Sequence, residues 1–152
     1  MQVETLNDVM KWTREAHQYL ANCMQHCAGK NEGARAKLLL GYLADHEQKL
    51  VKVLDEFEKT ASANALNTWC VEYLHKHPIT RHEKCEKPFA ELSADEISNE
   101  VAHQHGQIIE LYRYLLDHTD IPSAQELLEQ LLSLEEHEAM LMTHAANRLH
   151  DL

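Results

Sequence analysis

The sequence predicts an all-α protein: an up-down four-helix bundle of two antiparallel hairpins, joined by a long central crossover that contains a short helix. Two observations predict this fold. The chain of 152 residues has only 4 Gly and 3 Pro and is rich in helix-forming residues. Four long segments also repeat apolar residues every three or four positions, which is the period of an amphipathic helix. At this length we expect a single domain, residues 1–152, with a sizeable core.

Start and stop signals give the bounds of the four helices. Ser93 and Glu96 have the spacing of a capping box, and Ser123 and Glu126 repeat it after a proline. Short turns join the first helix to the second and the third to the fourth, which makes each pair antiparallel neighbours. The predicted bounds are about 4–28, 34–59, 94–118 and 123–150, with the crossover at 60–93.

The crossover carries its own expectations. Residues 63–77 predict the short helix, and residues 79–91 are expected to be irregular. Cys70 and Cys85 lie near three histidines, but their spacing matches no known zinc pattern, so a zinc site in this loop is disfavoured.

Charge and composition exclude several classes of function. The formal net charge is −11, which disfavours binding to nucleic acid or to an anionic membrane. No apolar stretch approaches the length of a membrane span, and the start of the chain lacks a signal-peptide pattern, so we expect a cytoplasmic protein. The four cysteines are then expected to be reduced thiols. Cys23 and Cys27, with His26 between them, form either a soft-metal or redox pair or, more simply, two small residues packed near a helix end.

Several polar residues fall on the apolar sides of the four helices. By helical phase His17, His46, His105 and Glu138 point inward, each close to the middle of its helix. Antiparallel packing brings these midpoints into one layer. Glu47, Glu135 and His137 flank the same faces at their margins.

An inward layer of imidazoles and carboxylates needs partners, because burying an unpaired charged or polar group costs several kcal/mol. A bound metal would satisfy the layer, and this donor set suits Fe, Mn or Zn. The alternative is a mutually hydrogen-bonded polar layer that fixes the register of the helices.

Two hairpins, one long crossover and an inward His/Glu layer resemble the ferritin-like superfamily, which includes the bacterioferritins and rubrerythrins. The resemblance is architectural and covers the four helices. The family carries Glu on the first and third helices and Glu-x-x-His on the second and fourth, which together hold two bridged irons. This chain has His17 and His105 in the Glu slots, Leu43-x-x-His46 on the second helix, and Leu134-x-x-His137 or Glu135-x-x-Glu138 on the fourth. The resemblance therefore implies a metal-binding bundle with an altered ligand set.

Two hypotheses of function follow. The first is a metal-binding ferritin-like protein, with Fe ahead of Zn and Mn, and with oxygen-related redox chemistry as one form of its activity. Its direct ligands would be His17, His46, His105 and Glu138, with Glu135, His137 and Glu47 as further ligands or as residues that orient them.

The second hypothesis is a non-enzymatic bundle that acts through protein contacts and keeps a degenerate metal layer. Trp12 and Tyr19 lie off the apolar stripe of the first helix. They would form the face of a homodimer or pack under the crossover.

Overall fold

The computed structural model describes residues 4–70 and 86–150, and within these ranges the protein is all-α. This confirms the all-α part of the predicted fold. The helices are α1 Leu6–Ala28, α2 Ala34–Thr60, α3 Ala63–Leu66, α4 Glu86–Glu91, α5 Ala94–His118 and α6 Pro122–His150. No helix in the described part of the chain combines the length and apolarity that a bilayer crossing requires.

Side-chain caps fix the starts of two long helices. Ser93 caps α5 in a capping box with Glu96, as predicted, and Thr5 caps α1 in the same way. The predicted cap at Ser123 is wrong, because α6 already begins at Pro122 and Ser123 lies inside the helix. Proline is favoured in the first helical position since it has no N–H to leave unpaired. The Ser123 hydroxyl accepts a hydrogen bond from the Asn64 side chain instead.

The crossover differs from its prediction at both ends. The short helix α3 ends at Leu66, and the chain then runs beside the start of α1, where Thr5 and Trp69 form an isolated antiparallel bridge. Residues expected to be irregular form the helix α4. The rest of the predicted short helix and the loop histidines lie outside the described residues.

The hydrophobic core consists of two clusters. The first apolar cluster includes Val9, Leu54, Leu111 and Leu128, and the second includes Leu20, Leu39, Val101 and Met142. Each of the four long helices contributes to both clusters. Helices α1 and α6 run from the first cluster to the second, whereas α2 and α5 run from the second to the first.

Candidate metal centre

A buried polar layer separates the two apolar clusters. His17, Glu47, His105 and Glu135 come one each from α1, α2, α5 and α6, and every one is at most 1% exposed. On each helix the residue stands between the last member of one cluster and the first member of the other. We call these four residues the buried centre.

His17 links two carboxylates. Its Nδ1 lies 2.6 Å from Oε2 of Glu47, and its Nε2 lies 2.6 Å from Oε1 of Glu135. Carboxylate oxygens accept hydrogen bonds, so both ring nitrogens donate only if both carry hydrogen. The two flanking carboxylates therefore favour the imidazolium form of His17.

Glu47 is the shared acceptor of the centre. One of its oxygens accepts from His17 and the other contacts Nε2 of His105. The His17 and His105 rings meet edge to face, with centroids 5.3 Å apart. A single carboxylate thus holds imidazoles from two other helices in fixed orientations.

Glu135 has an unused ligand atom. Its Oε1 accepts from His17, but its Oε2 is buried and has no hydrogen-bond partner among the residues described. Leaving such an oxygen unsatisfied costs about 1–3 kcal/mol, and more when it is charged. Such a buried oxygen is normally satisfied by a ligand, a bound ion or an ordered water.

The electrostatics of the centre favour charged forms. Burial alone would lower the pKa of His17, but the nearby Glu135 and Glu47 carboxylates outweigh burial and raise that pKa to about 10. Burial alone would raise the pKa of Glu47, but His105 and His17 outweigh it and lower that pKa to about 2. Mutual attraction thus dominates the cost of desolvation.

Three of these residues are close enough to share one ion. One ligand atom each from His17, Glu47 and His105 lies within 4.8 Å of the others. Ligands about 2.1 Å from a metal are at most about 4.2 Å apart. The spacing of this group is close to that limit. It could therefore hold a metal.

On α2 and α6 the residues at the centre of the polar layer are not the ones that the sequence predicts. His46 and Glu138 were expected at the centre of the layer, with Glu47 and Glu135 at its margins. Instead Glu47 and Glu135 are fully buried, while His46 and Glu138 are half-buried and contact each other, with Nδ1 and Oε2 3.2 Å apart. His137 is exposed.

The sequence pattern gave no sign of a neighbouring hydrogen-bond chain. The Tyr112 hydroxyl donates to Thr13 Oγ1 (2.9 Å), and the Thr13 hydroxyl donates to the Met10 carbonyl (3.0 Å). All three residues are buried. Burial and the charge of Glu135 raise the pKa of Tyr112. Threonine and tyrosine are common at core-facing positions, so only the structure reveals this chain.

Replacing Tyr112 by phenylalanine tests whether the hydrogen-bond chain from Tyr112 to Met10 affects metal binding at the buried centre. We expect the free energy of unfolding to fall by about 1 kcal/mol, because one buried hydrogen bond is lost while Thr13 keeps its bond to Met10. Urea denaturation measures this, and Tyr114→Phe, on the partly buried side of the same helix, is the control. A change in the amount of metal bound by Tyr112→Phe would contradict the interpretation that this hydrogen-bond chain is separate from the buried centre.

The other residues singled out in the sequence do not belong to the buried centre. Cys23 and Cys27 are buried in the second apolar cluster and His26 is exposed, as expected for small residues that pack near a helix end. Trp12 is buried in the first apolar cluster together with Cys70, so it packs under the crossover rather than on an outer face.

Comparison with known proteins gives no match: no family model, no curated protein and no solved structure matches the chain. The fold and the site alone define its class, an all-α protein with a buried His/Glu group that could hold a metal.

Proposed function

We propose that this protein is a metal-binding four-helix bundle of the ferritin-like type, with one transition-metal ion held in the buried centre. The directions of the helices support the fold. Because α2 and α5 run the same way between the two clusters, the chain must return along the whole bundle between them. A long crossover of this kind is the feature that distinguishes ferritin-like bundles from simple up-down ones.

The observation that carries the proposal is the unpartnered Oε2 of Glu135 beside the His17/Glu47/His105 group. A hydrogen-bonded layer whose only role is to set helix register has no use for a buried carboxylate oxygen without a donor. A cation held by that group would account for the convergence of its three side chains and would compensate the charge of the neighbouring Glu135 carboxylate.

The donor set fits a divalent ion in charge and in chemistry. Two carboxylates and two neutral imidazoles balance a 2+ charge, so the loaded centre would bury no net charge. Nitrogen and oxygen donors without thiolate suit Fe, Mn and Zn, and we place Fe first. When bound, iron or manganese would supply redox chemistry, whereas zinc would supply a structural cross-link.

A metal must compete with a proton at His17. The imidazolium between the two glutamates stabilises the metal-free layer, and a metal that binds a His17 nitrogen displaces hydrogen from it. This competition favours reversible loading. An oxidoreductase is one form of the proposal. We also propose a cytoplasmic location, which the buried free thiols of Cys23, Cys27 and Cys70 support.

A second candidate function is a non-enzymatic interaction bundle in which the polar layer only fixes helix register. The observation that favours it is the set of contacts already made without metal: both nitrogens of His17 and both oxygens of Glu47 have partners. Under this second hypothesis the protein would form a homodimer, which stays a prediction.

Metal content measured by plasma mass spectrometry tests the proposal. We expect about one equivalent of Fe, Mn or Zn in the untagged wild type. The His105→Gln variant should lose most of it while keeping its helical circular dichroism. His103→Gln is the matched control, because His103 lies two residues away on α5 and is exposed. Wild-type protein that is metal-free and refuses added Fe(II) and Zn(II) would leave only the register role.

A further inference from the structure

Beside the buried centre lies a second imidazole–carboxylate pair that does not belong to it. His46 on α2 and Glu138 on α6 face each other across the seam between these helices, with Nδ1 and Oε2 3.2 Å apart. Their side chains are 17% and 18% exposed, whereas those of Glu47 and Glu135 are fully buried. We call His46 and Glu138 the seam pair.

The seam pair adjoins the centre along both helices. His46 precedes Glu47 in the chain, and Glu138 lies three residues beyond Glu135, which is one turn along the same face of α6. Glu135 is also the residue with the unpartnered buried oxygen. The seam pair thus lies one residue from Glu47 on α2 and one helical turn from Glu135 on α6.

Two cavities also reach the centre. One, of about 80 Å³, reaches His105 past apolar side chains such as Val101 and Met142 and the hydroxyl groups of Ser98 and Thr143. A smaller one, of about 20 Å³, reaches His17 and His105 beside Gln104. Neither lining includes a carboxylate, so these routes offer a divalent cation no negative charge in exchange for its hydration shell.

We propose that the seam pair is the port through which a divalent cation reaches the buried centre, an inference that rests on the proposed function. His46 and Glu138 replace part of the hydration shell at the surface, and the ion then passes to Glu135 one turn away. The net charge of −11 and the exposed Asp45 beside His46 favour the approach of cations. The Tyr42 ring, 4.5 Å from the His46 ring between centroids, holds the imidazole in place.

The rate of metal uptake tests the port separately from the final amount bound. Metal-stripped full-length protein is mixed with Co(II) in a stopped-flow instrument, and the ligand-field absorption of cobalt reports binding to nitrogen and oxygen ligands. The port variant is His46→Gln/Glu138→Gln. The matched control, His137→Gln/Glu136→Gln, removes the same two residue types from exposed neighbouring positions.

We expect the port variant to load about tenfold or more slowly, within the range by which local charge and focusing alter association rates. It should reach the same final equivalents of Co(II) as the wild type, and the control should load at the wild-type rate. An unchanged rate in the port variant overturns the port and leaves the centre intact. A lower final content also overturns it, because the pair would then be permanent ligands. A wild type that takes up no Co(II) overturns the proposed function and the port with it.

Discussion

Replacing Glu47 by glutamine should lower the free energy of unfolding of the metal-free protein by about 3–5 kcal/mol. Glu47 is fully buried and accepts from both His17 and His105. An amide has the same shape but no charge, so the His17 imidazolium loses one of its two counter-ions in a site that water cannot reach. Breaking one member of a buried ion pair is among the most destabilising single substitutions.

The matched control is Glu56→Gln, at an exposed position on the same helix. Its effect should stay within about 0.5 kcal/mol, as for most surface substitutions. Urea denaturation followed by circular dichroism measures both variants, with chelator present to remove metal. A loss below about 1 kcal/mol for Glu47→Gln would contradict the charged network.

The ends of the long helices could be predicted, because local signals determine them. The Ser93 capping box sets the start of α5, and Gly29 follows the end of α1. The helix α4 carried no such signal. Its Phe89 is fully buried in the second apolar cluster, and the Asn31 side chain donates to the carbonyls of Phe89 and Leu92. Contacts distant in sequence hold this helix, so a local pattern could not predict it.

The polar layer could be predicted, but its central residues could not. On α2 the apolar steps fit His46 as well as Glu47, because a helical period of 3.6 leaves an uncertainty of one residue. The structure resolves it: Leu54 is 1% exposed and Val53 is 39% exposed, so the buried stripe passes through Glu47. On α6 the buried stripe is likewise displaced by one residue from the predicted stripe. This displacement places Glu135 inside the bundle and Glu138 at the seam between α2 and α6.

Such an error of one residue matters more for a site than for a fold. The core keeps its volume whichever of two adjacent positions faces inward. The identity of a buried ligand changes completely, as it does here from imidazole to carboxylate on α2. The observed phase places Glu47 and Glu135 where each accepts a hydrogen bond from one nitrogen of His17.

The stability of the metal-free protein should depend on pH through His17 and Glu47 in opposite ways. The pKa of His17 rises from 6.5 to about 10 on folding, so its contribution is complete below pH 6.5 and is lost as the pH rises toward 10. The pKa of Glu47 falls from 4.5 to about 2, so its contribution is complete above pH 4.5 and is lost as the pH falls toward 2. Stability from the centre should therefore be greatest between about pH 4.5 and 6.5.

Bound metal should act in the opposite direction above pH 6.5, because its ligands must lose protons before they bind. The difference in free energy of unfolding between the loaded and the metal-free protein should increase from pH 6 to pH 8, measured by urea denaturation with and without Zn(II).

Glu135→Gln removes the carboxylate that most favours the His17 imidazolium. This variant should therefore flatten the decline in stability of the metal-free protein above pH 6.5. Glu136→Gln, at the exposed neighbouring position, should leave that decline unchanged. A metal-free protein that gains stability between pH 6.5 and 9.5, or an equal response of the two variants, would show that His17 is not held as an imidazolium.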